Sequence, residues 1–390
     1  MKTSNQSINI NTSTITQHYK YMKKLLIIAA TTFVATALHA QVYVNIVGST
    51  AGRSAVDAQI RAIFGSSVQY ASADAASGSA TRAIYKGTFN GKQYIVRTAY
   101  GGSADGVNMV RNATPQQLLN ENVAVAAGGN TLTGAAIVLD PVGGANTFAH
   151  IGFSDIFAST LGLVPTDVDE KVGVITFYWL ASKGATGIDN LTSAAVRQLY
   201  SNEFLPLSIA TGNASDTGKN LLGLGRNSSS GTRATAMAEC GYGNFKTVTQ
   251  YSVNIVDGTI TGNPTLLESN GGLSGGGDIA NALKATSNSS NMLYIGYLGA
   301  SDAVNNAIPG GAIPLKWNGV AFSEEAIYQG QYTFWGYLHQ NRMNSLNADQ
   351  ELFFNELATR LKENGGSGLL KISDMKVQRD ADGAPCYSIN

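Results

Sequence analysis

Residues 226–233 read Arg226-Asn227-Ser228-Ser229-Ser230-Gly231-Thr232-Arg233. An apolar run, Leu221 to Leu224, precedes them, and Ala234 to Glu239 follows as a predicted helix. A loop of small hydroxyl residues with a glycine at a helix start leaves several backbone N–H groups unpaired, and the helix macrodipole adds about half a positive charge there. Ser-Gly-Thr alone reads more readily as a capped helix after a polar turn. Arg226, four residues before Ser230, changes the balance because its planar fork grips two oxygens of one anion. Arg226, Ser230, Gly231 and Thr232 are therefore candidate oxyanion ligands.

Two further loops share this character. Gln41 to Val47 predicts a strand that ends in Gly48-Ser49-Thr50, and Ala55 to Phe64 has helical spacing. Arg82 to Lys86 and Gln93 to Ala99 predict strands joined by the hairpin signal Asn90-Gly91, and the second runs into Tyr100-Gly101-Gly102-Ser103-Ala104-Asp105-Gly106. Strand, small polar loop and helix is the unit of an α/β fold. Ile151-Gly152-Phe153-Ser154-Asp155 predicts a strand that delivers a Ser-Asp pair at its carboxyl end. Together Ser49, Thr50, Ser103, Asp155, Arg226, Ser230, Gly231 and Thr232 make an inventory able to surround a small tetrahedral anion.

Elsewhere, Val172 to Leu180 is the strongest buried-strand run, and Leu191 to Tyr200 predicts a helix behind Asn190 and Thr192. Val248 to Val256 and Met292 to Leu298 read as strands, and a helix is expected near Asp278 to Lys284 after a glycine loop. Asn347 with Gln350 forms a capping box ahead of Leu352, Phe353, Leu357 and Leu361, stopped by Gly365-Gly366. Thr114-Pro115 carries helix-start chemistry, and Ala124 to Ala149 reads as an insertion with a hairpin.

The 390 residues open with a leader. Met22-Lys23-Lys24, the apolar Leu25 to Leu38 and the small Ala40 have the layout of a signal peptide over 22–40 within a leader of 1–40. No cysteine near that point indicates a lipid anchor, so a periplasmic or secreted protein is expected. The leader holds four of the 26 basic residues and no acid, leaving 22 basic against 26 acidic, a net charge of −4. An acidic exported chain is a poor nucleic-acid partner. Charged residues are 13% and hydrophobic residues 44%, enough for a core. Two cysteines, Cys240 and Cys386, make no disulfide framework, and in an oxidising compartment the two could pair.

Enzymatic signatures are weak. His150 and His339 lack metal-ligand spacing and read as polar-surface histidines, so no metal and no cofactor are expected. Gly101-Gly102-Ser103-Ala104-Asp105 is not Gly-x-Ser-x-Gly, and Gly212 to Asn220 imitates a P-loop but puts Asn220 where Ser or Thr should hold magnesium. The aromatics Tyr332, Phe334, Trp335 and Tyr337 read as core strand rather than sugar platform.

The loop motifs resemble those of the phosphate-binding (PstS-like) proteins of bacterial ABC importers. Gly48-Ser49-Thr50 is similar to that family's first phosphate loop, Tyr100 to Val107 to its second, and Gly152-Phe153-Ser154-Asp155 to its Gly-x-Ser-Asp element. Arg226-x-x-x-Ser230-Gly231-Thr232 resembles its most specific signature, and Ile295-Gly296-Tyr297 and Gln329 to Trp335 resemble structural landmarks. The resemblance implies a two-lobed, type II periplasmic-binding-protein fold of α/β class with an anion in the cleft. It assigns donor roles to Thr50, Arg226, Ser230 and Thr232, and makes Asp155 the acceptor of the anion's remaining proton. Lobe one would combine 41–170 with 310–390, and lobe two would span 171–309, with crossings at Val172 to Leu180 and at Pro309-Gly310-Gly311. Implied partners are inorganic phosphate and the membrane subunits of an importer, with a monomer expected. Ala104 and Asp105 depart from the pattern, and an acid at Asp105 would repel an anion. The stretch 113–150 is longer than the pattern. A secreted or surface protein with a lost or altered ligand stands as the alternative, and an enzyme acting on phosphate esters comes third.

Overall fold

The computed structural model describes residues 41–268 and 270–389, and the leader read from the sequence lies outside them. Val42–Gly48 forms β1 at the centre of a mixed α/β arrangement. Its neighbours are β4 (Lys92–Ala99), parallel, and β6 (Ile151–Ser154), also parallel. The expected hairpin joins β3 (Arg82–Phe89) to β4, with Asn90 and Gly91 both at positive φ, and β2 (Gln69–Ala73) pairs on its outer side. The helix α1 (Arg53–Phe64) follows β1, and α2 (Ser103–Arg111) follows β4.

Stretch 113–150 covers the edge of this sheet. Its strand β5 (Asn130–Leu132) pairs with β2, and Leu119 and Val123 complete a cluster with Ala71, Ile84, Ile95 and Leu132. Two antiparallel bridges, Leu119 to Leu139 and Pro115 to Phe148, give the expected hairpin-like path. They also overturn the helix start at Thr114-Pro115, because Pro115 is committed to a bridge. Arg97 on β4 and Asn45 on β1 fasten the segment. The Asn45 amide donates to Asn146 O (2.6 Å) and Phe148 O (2.8 Å), and Arg97 donates to Asp140, Asn146 O and Asn45 Oδ1.

The long strand β7 (Val168–Ala181) holds the rest together. Its ten residues from Val172 on are all buried, as a run without polar alternation requires. Short β8 (Asn190–Leu191) and β9 (Leu205–Pro206) flank the helix α3 (Ser193–Ser201), whose N-cap is Thr192, as expected. β10 (Asn220–Gly223) leads to α4 (Gly231–Glu239). β11 (Gln250–Val256) and β12 (Thr259–Leu267) make a separate hairpin, and α5 (Gly276–Lys284) precedes β13 (Met292–Gly299). β14 (Ile313–Trp317), β15 (Trp335–Arg342) and the capped helix α6 (Ala348–Asn364) follow, and the short strand Leu369–Leu370 after them pairs with β7.

Pairing divides β7. Val168 to Thr176 lie against β15, which continues to β6 and β1. Phe177 to Ala181 lie against β13, which continues to parallel β10, and against β14. One strand thus passes from the β1 side of the sheet to the β10 side. Tyr332, Phe334, Trp335 and Tyr337 are all buried, so the aromatic run is core. Among the described residues no helix is long and apolar enough to cross a membrane.

Candidate functional site

Four loops leave the carboxyl ends of strands β1, β4, β6 and β10, the position at which open α/β sheets place ligands. The first three are brought flush by glycines. A Cβ on Gly48 or Gly106 would overlap Phe153 O, and one on Gly152 would overlap Gly106 O. Backbone therefore meets backbone, and the first residues of α2 sit directly beside Ser154 and Asp155.

Asp155 is 1% exposed. Its Oδ1 accepts from Ser103 Oγ and its Oδ2 from Thr232 Oγ1 at 3.1 Å. The Asp155 amide N–H donates back to Ser103 Oγ at 3.1 Å. Gly231 packs onto the same carboxylate, where a Cβ would overlap both Asp155 Oδ1 and Ser103 Oγ. Ser103, Asp155, Gly231 and Thr232 thus form one group, although 129 positions separate Ser103 from Thr232. Ala104 N–H donates to Ser229 O at 3.1 Å and joins the second loop to the arginine loop.

Arg226 is the second centre. At 2% exposure its guanidinium donates from Nε to Leu273 O (3.2 Å), from Nη1 to Thr50 Oγ1 (3.0 Å) and from Nη2 to Ser274 O (2.7 Å). Its ion-pair partners would be carboxylates, and among the described residues none stands within 4.0 Å. Burial lowers its pKa, and the Asp155 carboxylate acts in the opposite direction. The backbone below it is clamped. Arg226 N–H donates to Tyr297 Oη (3.1 Å), that phenol donates to Gln250 Oε1 (2.9 Å), and the Gln250 amide returns to Arg226 O (3.1 Å). Burial pushes the Tyr297 phenol up to about 12, so it remains a donor at neutral pH. Gly272 packs on the Arg226 carbonyl, where no Cβ fits.

Arg233 is a brace. Its Nη1 donates to Arg226 O (3.1 Å) and Asn270 O (2.9 Å), and its Nη2 to Asn270 Oδ1 (2.8 Å). Ser230 is the N-cap of α4, its Oγ accepting from Arg233 N–H at 3.3 Å with its own proton still available to donate. Ser49 Oγ accepts from Ala51 N–H at 3.1 Å, a turn contact beside Thr50.

Asp105 does not point at this group. It folds against Gly101 and lines a pocket of about 290 Å³ with Arg82 and Tyr100, where burial raises its pKa. The expected repulsion is therefore absent from the geometry. Both histidines differ from the surface reading. His339 is buried with Nδ1 2.6 Å from Asp169 Oδ1. His150 is half-buried, its Nδ1 accepts from Asn45 N–H, and burial followed by Arg97 lowers its pKa to about 4. The P-loop imitation has Lys219 paired with Asp216 at 3.0 Å. Cys240 and Cys386 have separate partners, Cys240 Sγ donating to Met237 O and Cys386 Sγ accepting from Arg379. Among the described residues no three His, Cys, Asp or Glu side chains gather as metal ligands. Sequence reasoning missed Arg53, the first residue of α1, which is 5% exposed and acts electrostatically on Arg226. Its only signal was its place three residues after Thr50.

Strand ends that converge on a buried polar group define a mixed α/β fold with its loops gathered at one place. No family model matches the chain, and no curated protein matches it. Among solved structures it is similar to a Clostridium perfringens protein assigned as a phosphate ABC transporter substrate-binding protein, solved with bound phosphate. That likeness has a TM-score of 0.50 and 15% identity over 85% of this chain and 99% of the other. PstS from Borrelia burgdorferi matches with a TM-score of 0.40, 14% identity and coverage of 85% and 98%. An ABC-type phosphate transport receptor from Vibrio cholerae matches at 0.45, with 10% identity and coverage of 81% and 93%. The first of these shows the fold: mixed α/β, of the two-lobed type II periplasmic-binding-protein kind, as the loop motifs implied.

Proposed function

We propose that the protein binds inorganic phosphate without chemical change, as the substrate-binding component of an exported ABC-type uptake system. The observation that carries this reading is the pairing of opposites in one buried place. Arg226 offers a cation with no carboxylate of the described residues at ion-pair distance, while Asp155 offers an acceptor-only group bracketed by Ser103 and Thr232. A guanidinium attracts any oxyanion, but a buried carboxylate accepts a hydrogen bond only from an anion that retains a proton. Phosphate at neutral pH retains one and sulfate does not. Thr50, Arg226 and Ser230 are the proposed side-chain donors with protons free for the anion, Ser49 and Gly231 supply backbone and turn geometry, and Asp155 is the acceptor. Ser103 and Thr232, whose single protons go to Asp155, donate to the anion only by exchanging those bonds.

The lobes are proposed as 41–170 with the C-terminal part, and 171–309 with its continuation. Because Ile313 to Leu315 still pair with the Trp179 to Ala181 end of β7, the return crossing is better drawn after Trp317 than at Pro309-Gly310-Gly311. A periplasmic or secreted location, a non-enzymatic role and action as a monomer with importer subunits complete the proposal. Stretch 113–150 gives no support to an altered ligand, since the side chains that bond it to the sheet are Tyr43, Asn45, Tyr70, Arg82 and Arg97, none of the proposed ligand set. Calorimetric titration of purified protein with phosphate tests the reading. One saturable site is expected, and no binding at millimolar phosphate refutes it.

A further inference from the structure

Several polar contacts join the two proposed lobes. Glu239, at the far end of α4, meets Thr333 and Arg379, and Ser367 meets Ser301 and Asn305. Three others involve the proposed anion loops: Arg226 with Thr50, Thr232 with Asp155, and Ala104 with Ser229. One more is an ion pair at the start of α1. Arg53 Nη2 donates to Asp302 Oδ1 at 3.0 Å, across 249 positions of sequence, and neither residue belongs to the proposed ligand set.

Each partner is placed by its own side. Arg53 is the first residue of α1, fixed by the turn from Gly48 to Gly52, and its side chain is only 6% exposed. Asp302 lies just beyond β13, and its other oxygen, Oδ2, sits over the start of α5. Gly276, the first residue of α5, has no room for a Cβ because Asp302 Oδ2 occupies that place. The N-terminal end of this nine-residue helix favours the carboxylate whether or not Arg53 is near. Beside the pair, Ala51 meets Gly299, where a Cβ would stand 3.3 Å from the alanine Cβ. Both charges act on Arg226, Arg53 lowering and Asp302 raising its pKa, so the pair stands beside the cleft.

We propose that Arg53 and Asp302 form a clasp that holds the lobes closed over the anion and sets how slowly it leaves; this rests on the phosphate reading above. The two residues are positioning residues. Association precedes closure and depends on Arg226, whereas release requires opening and therefore breaking a poorly hydrated ion pair. Among variants of one binding site, differences in affinity fall mostly on the dissociation rate.

Stopped-flow kinetics with phosphate on wild type, Arg53→Gln, Asp302→Asn, the double variant and the reversal Arg53→Asp/Asp302→Arg test the clasp. Either single change should speed dissociation about tenfold and leave association within about threefold. The double variant should be no worse than either single one, as expected for a shared contact, and the reversal should recover part of the loss. If Arg53→Gln weakens binding while Asp302→Asn leaves release unchanged, Arg53 acts on the anion directly and the clasp is overturned. Additive effects overturn it as well. X-ray scattering at saturating phosphate gives a second reading. The single variants should show a larger radius of gyration than wild type, and unchanged values with unchanged rates refute the proposal. Absence of phosphate binding by the wild type refutes the function instead, and the clasp, defined by closure over the anion, falls with it.

Discussion

Asp155→Asn is the perturbation that speaks most directly to phosphate. The wild-type carboxylate is 1% exposed, and each oxygen already accepts one hydroxyl bond, from Ser103 and from Thr232. Each oxygen keeps one further lone-pair direction, and both atoms can only accept. A site that leaves such a group unpaired can reject an analogue by about 10⁴-fold. Wild-type protein should therefore prefer phosphate to sulfate by about that factor. Asparagine is nearly isosteric and turns one oxygen into a donor. Phosphate then loses a charge-assisted bond, about 1.5–3 kcal/mol, or about 10- to 100-fold in affinity. Sulfate gains a donor and loses a carboxylate facing it, so the ratio should shrink by about 100-fold or more. Competition calorimetry with both anions, at fixed ionic strength and pH 7, measures it. Equal wild-type affinity for sulfate would refute the reasoning. So would an unchanged ratio in the variant accompanied only by a lower melting temperature, since Asp155 would then serve only to bracket Ser103 and Thr232.

The remaining expectations concern neighbouring groups. Arg226→Ala should weaken phosphate binding by about 100-fold, whereas Arg233→Ala, which removes bonds to Arg226 O and Asn270, should cost more in melting temperature than in affinity; titration and thermal scans separate the two. Gly231→Ala should abolish binding while leaving the circular dichroism spectrum native, because its Cβ would displace the Asp155 carboxylate. Two groups give opposite pH slopes. Burial raises Asp382 to about 6, so the native state holds a proton that the unfolded chain has released, and its stabilisation is present below the unfolded pKa and lost as pH rises through 6. His150, lowered to about 4 by burial, is neutral when folded, so its contribution is present above the unfolded pKa and lost as pH falls through 4. Each contributes about 3 kcal/mol and they oppose one another between pH 4 and 6. Urea titrations should show stability rising with pH in Asp382→Asn and falling with pH in His150→Gln, and slopes of the other sign would refute the assignment.

Local order was readable where one face or both faces of an element are buried. β7 declares itself because both its faces are covered, and α6 because Asn347 and Gln350 exchange bonds, at 3.0 and 3.1 Å, as a capping box does. The three loops were readable because small residues at strand ends serve few other purposes. What pattern could not supply was convergence. Nothing local in Ser103, Asp155 or Thr232 states that they share two carboxylate oxygens; that follows from β1 lying between β4 and β6, and from the path through β7 to β10. The resemblance to a phosphate-binding family named the residues, and the strand order explains their meeting. Arg53 escaped because an arginine in a first helical turn reads as a solvated charge, and its burial depends on Asp302. Pro115 misled because the same residue that opens helices also suits a bridge at a sheet edge, and β12 was passed over because Thr, Asn and Pro dilute its alternation. The histidines escaped because burial depends on Asn45 and Asp169, which no spacing connects to them.

The division of β7 between two sets of partners has a bearing on how the molecule comes apart. Thr176 pairs with Trp335 of one half, and Phe177 pairs with Gly299 of the other while its N–H still donates to Phe334 O, with no loop between them. Fraying either half strips ladder bonds from the strand that the other half needs, and exposes apolar residues of a run that is buried throughout. The halves therefore melt together, in one cooperative transition, and neither persists as a fragment once the chain is cut between those two residues.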